Sequence, residues 1–341
     1  VRSRGANLVL LLLSLGGTLL CLEAATRWIP AKPPPVFFAS RFNGTEPMNS
    51  QGFRDFEYPE EKGEKVFRIL AVGDSFTFGV GVNFDDSYPK KLERLLNYHG
   101  REGEAVYQVL NLGHPRLSTP EEVQGLKRRL AQYRPDLVVL GYCLNDAEDW
   151  SDPEGVQRLR RQHLLEGYKP PAAGVAGFLH DHSALYRLVA GRMGNSLSFA
   201  RQKDYYRALY REDARGWRRT REALSDLGRI SAESRIPVVV MLFPLFSFGL
   251  SEQGYPFAEI HRRIAAAAAE ADLSFLDLFH AYRNLNPLRL EAVPYQDPHP
   301  SAIGHAVAAE RLLKFLLTND LLPEDRDLKH LSPHAPPTPF R

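Results

Sequence analysis

The chain has 341 residues, 44% hydrophobic and 25% charged, enough to bury one large core with appendages or two small ones. Its 43 basic and 41 acidic residues leave a net charge of +2, and no long basic run interleaves with aromatics, which argues against nucleic-acid binding. The two cysteines, Cys21 and Cys143, lie in unlike settings and are not expected to pair, and no Cys/His cluster has zinc-ligand spacing.

Gly5 to Leu22 carries no charge, Leu8–Leu13 is almost pure leucine, and Arg2 and Arg4 precede the run. The run reaches the lower limit for a bilayer span, roughly 17 residues. A cleavable signal peptide shares this basic start and apolar middle. Leu22-Glu23-Ala24 is a poor cleavage site, so residues 1–28 read as an uncleaved single-pass anchor. Arg2 and Arg4 then keep the N-terminus cytoplasmic and put the rest outside the cytoplasm, in a periplasm or at the cell surface. Residues 29–64 follow, with Pro30, Pro33, Pro34 and Pro35, and read as an extended stalk with a weak sequon at Asn43-Gly44-Thr45.

From residue 65 strand and helix patterns alternate. Strands are predicted at Val66–Val72, Ala105–Leu110, Leu137–Tyr142, Ile236–Phe243 and Ser274–Leu278. Helices are predicted at Ser87–Tyr98, Thr119–Tyr133, Ala214–Ser234, Pro256–Ala271 and Ala302–Leu317, the last capped by Ser301. For the second of these, Thr119 reads as N-cap, Pro120 as the first helical residue and Glu122 as the partner that closes a capping box. Repeated β–α–β order predicts a parallel sheet with helices on both faces. Residues 147–212 break the rhythm, with Pro170-Pro171 and a short helix near Ser183–Met193, and read as an insertion or lid. The α/β domain is taken as 65–320 and the remainder, 321–341, as a flexible tail.

Gly73-Asp74-Ser75 stands where the first strand stops, at the carboxyl edge where open α/β sheets hold their ligands. Alone, the tripeptide is an ordinary turn. It gains meaning from Asp297-Pro298-His299-Pro300-Ser301 near the other end of the chain. A serine hydroxyl needs a base in reach, and the base needs an orienting group. Ser75 is the candidate nucleophile, His299 the base and Asp297 the orienter, with the flanking prolines restricting the loop. His305 is a decoy that helical placement should turn away. Oxyanion donors could come from the Ser75 N–H, the Gly113 N–H after the second strand and the Asn145 amide after the third.

This order of blocks resembles the SGNH/GDSL hydrolase superfamily over roughly residues 65–318, with Gly73-Asp74-Ser75-Phe76-Thr77-Phe78-Gly79 as its first block. The resemblance implies a flavodoxin-like three-layer α/β/α sandwich with Ser75 as nucleophile, His299 as base and Asp297 as acid. It also implies an oxyanion hole of Ser75, Gly113 and Asn145, with Asp74 and Asp146 as supporting neighbours, and neither metal nor organic cofactor. Two positions depart from the pattern. Cys143 replaces a glycine of the third block, and Gln296 stands at the usual acid position with Asp297 one residue closer to the histidine. A dyad supported by Gln296 or solvent therefore stays open as an alternative to the Asp297 triad. The implied partners are ester-bearing small molecules, lipids or polysaccharides, with the membrane engaged through the N-terminal helix. Three activities fit: a carboxylic ester hydrolase, a cell-envelope polysaccharide O-acetyltransferase, or a glycan-binding protein that has kept the fold.

Overall fold

Five apolar runs form strands: Val66–Gly73 (β1), Val106–Asn111 (β2), Leu137–Tyr142 (β3), Val238–Leu242 (β4) and Ser274–Asp277 (β5). β3 and β4 are buried at every position, the pattern of parallel strands covered on both faces. In the computed structural model, which describes residues 2–29, 48–98, 105–163, 171, 173–283, 285–294 and 297–323, they make one parallel sheet in the order β2-β1-β3-β4-β5. Ile69 of β1 pairs with Val109 on one side and Leu137 on the other. The chain winds from β1 out to β2, then crosses back to β3, so winding reverses between β1 and β3. A reversal of this kind opens a crevice at the carboxyl ends of the two strands.

Arg68 interrupts the apolar run of β1 yet is fully buried. Its guanidinium donates to the carbonyls of Pro59, Glu60 and Tyr133 and to Gln108 Oε1, which makes burial of the charge tolerable. These bonds also hold the segment before β1 against the sheet. Residues 48–62, expected within the stalk, are docked on the core in the same way. Arg54 donates to the carbonyls of Phe78, Gly79 and Val82, and Asp55 pairs with the buried Lys90 at 2.7 Å. The prolines that suggest an extended segment lie further upstream, and these pairings join residues too distant in sequence for local pattern to show. Those prolines and the sequon (30–47), Gln296 and most of the expected tail (324–341) lie outside the described residues.

Helices cover both faces of the sheet. Tyr88–Asn97 (α3) packs on Ala302–Thr318 (α12), while Thr119–Tyr133 (α4), Arg215–Ser234 (α8) and Ala258–Glu270 (α9) pack in series. This is a three-layer α/β/α sandwich. The start of α4 differs from expectation by one residue. Its N-cap is Ser118, and Glu121 closes the box by accepting from the Ser118 N–H at 3.3 Å and from the Ser118 hydroxyl. The shift turns Glu122 inward, where it is buried.

Between β3 and β4 the chain forms Pro153–His163 (α5), Gly174–His182 (α6) and Ala184–Leu209 (α7). The short helix expected near Ser183–Met193 is thus the first part of a 26-residue helix. Local pattern concealed its length, because α7 changes its buried face along its course. Its second half buries Ser198, Gln202, Tyr205, Tyr206 and Leu209, whereas Val189 and Met193 in its first half are exposed. Its first turn is capped twice: Ser183 accepts from the Tyr186 N–H at 3.0 Å, and Glu23 accepts from the N–H groups of Ala184 and Leu185. Glu23 lies on Arg2–Thr26 (α1), whose Gly5–Thr26 portion, of mean hydropathy 2.1, is long and apolar enough to cross a membrane.

Candidate active site

β1 ends at Gly73 with φ +157°, and a Cβ there would lie 2.2 Å from Thr77 Oγ1 and 2.6 Å from the Gly141 carbonyl oxygen. Only glycine allows the sharp exit into the short helix Ser75–Phe78 (α2). Asp74 caps that helix, its Oδ1 accepting from the Phe76 N–H at 2.8 Å. Ser75 is therefore the first helical residue, with no preceding helical carbonyl to take its N–H.

The base arrives from the far end of the chain. After β5 come the short helices Phe279–Tyr282 (α10) and Pro287–Leu290 (α11), then the antiparallel pair Glu291–Val293 (β6) and Asp297–Pro300 (β7). Residues two apart on a strand share a face, so β7 points Asp297 and His299 the same way. His299 Nδ1 lies 2.6 Å from Asp297 Oδ1, and His299 Nε2 lies 2.9 Å from Ser75 Oγ. Both Asp297 and His299 are buried. In this arrangement Nδ1–H donates to the carboxylate, which leaves Nε2 free to accept the Ser75 proton.

Asp74 connects Ser75 to the end of β3. Its Oδ2 accepts from Asn145 Nδ2 at 3.0 Å and lies 3.2 Å from Ser75 Oγ. Complete burial pushes the Asp74 carboxyl up, opposed chiefly by the bonds from Asn145 and Phe76. Asn145 stands in the 3₁₀ turn Leu144–Ala147, which Asp146 braces by accepting from the Cys143 N–H at 3.0 Å. An amide NH₂ has two donors. One of Asn145's reaches Asp74, and the other is available to a reacting oxygen.

Gly113 does not join this group. Its N–H donates to Asn111 Oδ1 at 3.0 Å, and a Cβ there would lie 2.2 Å from the Phe78 nitrogen. The glycine is needed for close packing beneath α2, and its N–H, expected as an oxyanion donor, is engaged by Asn111 here. His305 is fully buried on α12, where its Nδ1 accepts from the Tyr88 N–H at 3.1 Å. Burial pulls its pKa down to about 3.

Residues with no local signature complete the cleft. Gln202 and Tyr206 reach it from α7, and Leu245 and Ser247 from the loop after β4. With Phe76 they enclose a cavity of about 40 Å³ beside Ser75. Nothing in the pattern around α7 marks Gln202 as a site residue, since its place in the cavity that Ser75 lines is made only by folding. Leu245 is held by a buried relay: its N–H donates to Tyr255 Oη at 3.1 Å, Tyr255 meets His261 Nε2 at 3.0 Å, and His261 Nδ1 meets Asp277 at 2.9 Å. This second His–Asp pair ends on a phenol that braces the cleft wall, with no serine attached. Among the described residues no group of three His, Cys, Asp or Glu side chains could hold a metal.

Residues 71–307 match the GDSL-like lipase/acylhydrolase family. The chain belongs to this family. It is a hydrolase of ester bonds. Solved structures similar to it include an acetylxylan esterase from Geobacillus stearothermophilus, with 16% identity and a TM-score of 0.43, the match covering 73% of this chain and 93% of that one. A lipase/acylhydrolase from Enterococcus faecalis has 15% identity and a TM-score of 0.42, with 74% and 96% covered. A member of the lipolytic G-D-S-L family from Veillonella parvula has 13% identity and a TM-score of 0.41, with 74% and 98% covered. Among curated proteins the comparison found no match.

Proposed function

We propose that Ser75 is the nucleophile of a carboxylic ester hydrolase, with His299 as general base and Asp297 as the group that orients it. One observation carries this reading: Ser75 Oγ and His299 Nε2 lie 2.9 Å apart, with Asp297 behind the ring. Nε2 takes the hydroxyl proton as Oγ bonds to the ester carbonyl carbon, and the carbonyl electron pair moves to oxygen. The Ser75 N–H and the Asn145 amide meet that oxyanion. When it collapses, the carbon–oxygen bond to the alcohol breaks and Nε2–H protonates the departing alkoxide. Water then attacks the acyl-enzyme, giving a proton to Nε2, and Ser75 leaves with that proton as the carboxylic acid departs. The ester is an acyl group carried by a glycan or lipid.

The apolar α1 supports a tethered enzyme, with Arg2 and Arg4 on the cytoplasmic side and the α/β domain outside the cytoplasm. Protease accessibility in intact and permeabilised cells tests the orientation; cleavage only after inner-membrane lysis rejects it. For the chemistry, a fluorophosphonate probe should label wild-type protein and not Ser75→Ala, and the variant should lose turnover of p-nitrophenyl acetate. Turnover by Ser75→Ala at the parent's rate would remove Ser75 from the mechanism.

A further inference from the structure

Gln202 and Tyr206 stand four residues apart on α7, so one helix face presents both to the cleft. Gln202 is only 3% exposed, and its Oε1 has no hydrogen-bond partner among the described residues. An unsatisfied buried amide oxygen is destabilising, because it gives up its bonds to water without replacement. A leucine or methionine would fill the same space without that cost. The amide borders the same cavity as Ser75 and His299, so a molecule bound for reaction at Ser75 comes within its reach.

The lining narrows what that molecule carries. Ser75, His299 and Asn145 are engaged in the chemistry, and the side chains with polar groups that remain are Gln202, Ser247, Tyr206 and the Cys143 thiol. All are neutral, and Gln202 and Ser247 can both donate and accept. Among the described residues no Lys, Arg, Asp or Glu lines the cavity, so none of them there would balance a phosphate, a carboxylate or a cation. Phe76, Tyr206 and Leu245 bound it on its apolar side. A sugar or polyol hydroxyl has the matching chemistry: it can donate to Oε1, while a neighbouring hydroxyl accepts from Nε2.

We propose that Gln202, aided by Ser247, is a substrate-binding residue that hydrogen-bonds a free hydroxyl of the alcohol portion. The enzyme thereby selects esters of hydroxylated alcohols over esters of plain alkyl alcohols. This inference rests on the esterase reading of Ser75 and narrows its substrate to a hydroxyl-bearing ester.

The test compares three acetates on the full chain in detergent: methyl 4-O-acetyl-xylopyranoside, glycerol 1-acetate and cyclohexyl acetate. In Gln202→Met, kcat/KM for the xyloside should fall about tenfold relative to cyclohexyl acetate, and the change should lie mainly in KM. A parallel fall for glycerol 1-acetate extends the subsite to any vicinal hydroxyls; its absence restricts the subsite to sugars. Gln202→Glu keeps an acceptor of the same length and should retain part of the preference, which guards against a misfolded methionine variant. An equal fall on all three esters, or unchanged ratios in both variants, overturns the subsite. A wild-type protein that fluorophosphonate does not label at Ser75 instead sinks the esterase reading, and the subsite with it.

Discussion

Asn145 Nδ2 donates to Asp74 Oδ2 across 3.0 Å, tying the turn that follows β3 to the residue after β1. The same carboxylate caps α2 through the Phe76 N–H. One buried group therefore aims the amide and anchors the turn that carries Ser75.

Removing that group should affect rate and stability together. Asp74→Ala leaves the Asn145 amide unaimed and α2 uncapped. Turnover of p-nitrophenyl acetate should fall by at least as much as in Asn145→Ala, for which loss of one oxyanion donor predicts roughly 10²–10³. Loss of the cap should cost about 1 kcal/mol in denaturant unfolding. If the double variant is slower than either single one by the product of their losses, the two residues do not act as a unit.

Asp297 separates the triad from the dyad. With Nδ1 at 2.6 Å from its carboxylate, Asp297→Asn should lower kcat by roughly 10⁴-fold, because an amide no longer holds the imidazole in the reactive tautomer. Steady-state kinetics on p-nitrophenyl acetate gives the answer. A loss below tenfold would mean that His299 works without a carboxylate.

His305 makes stability sensitive to acid. Burial lowers its pKa to about 3 from an ordinary value near 6.5. The unfolded chain then binds a proton that the folded chain refuses, so stability is lost as pH falls from about 6.5 toward 3. At pH 5 the loss is about 2 kcal/mol. His305→Gln should flatten that part of the stability–pH curve measured in urea. An equally steep curve in the variant would place the acid sensitivity elsewhere.

Glu122 and Asp146 act in the opposite direction. Burial raises both carboxyls well above their usual range, helped at Glu122 by repulsion from Asp74 and at Asp146 by repulsion from Glu122 and Asp74. Both Glu122 oxygens and Asp146 Oδ1 are buried without hydrogen-bond partners among the described residues. A raised folded-state pKa gives stability that is present below the unfolded value and lost as pH rises through the folded one. Glu122→Gln removes one of the two charges. It should match the parent near pH 4.5 and melt higher at pH 8, by roughly 2–4 °C for each kcal/mol regained. A lower melting temperature at pH 8 would contradict the repulsion.

The five strands were legible because each is a short apolar run ended by a turn residue, and strands buried on both faces need no alternation to be recognised. The cap of α4 was misread by one residue because Ser118 and Thr119 are both competent N-caps, each with a glutamate three positions on. The burial of Glu122 is what distinguishes the two frames, and burial is not a local property. α7 was shortened for a similar reason. Its buried residues face the cleft only in its second half, so no single apolar stripe runs its length.

The sequence by itself determined the parallel α/β class, the apolar N-terminal helix, and the placing of Gly73-Asp74-Ser75 and Asn145 at strand ends, since periodicity and turn chemistry are written in neighbouring residues. Only the tertiary structure decided that the Gly113 N–H turns to Asn111, that residues 48–62 clasp the core, and that Gln202 comes to lie beside Ser75. The last two join distant stretches of chain, and the Asn111–Gly113 bond, though local, accompanies the close packing of Gly113 against Phe78. The packing of sheet and helices selects all three, a competition that no local window of sequence contains.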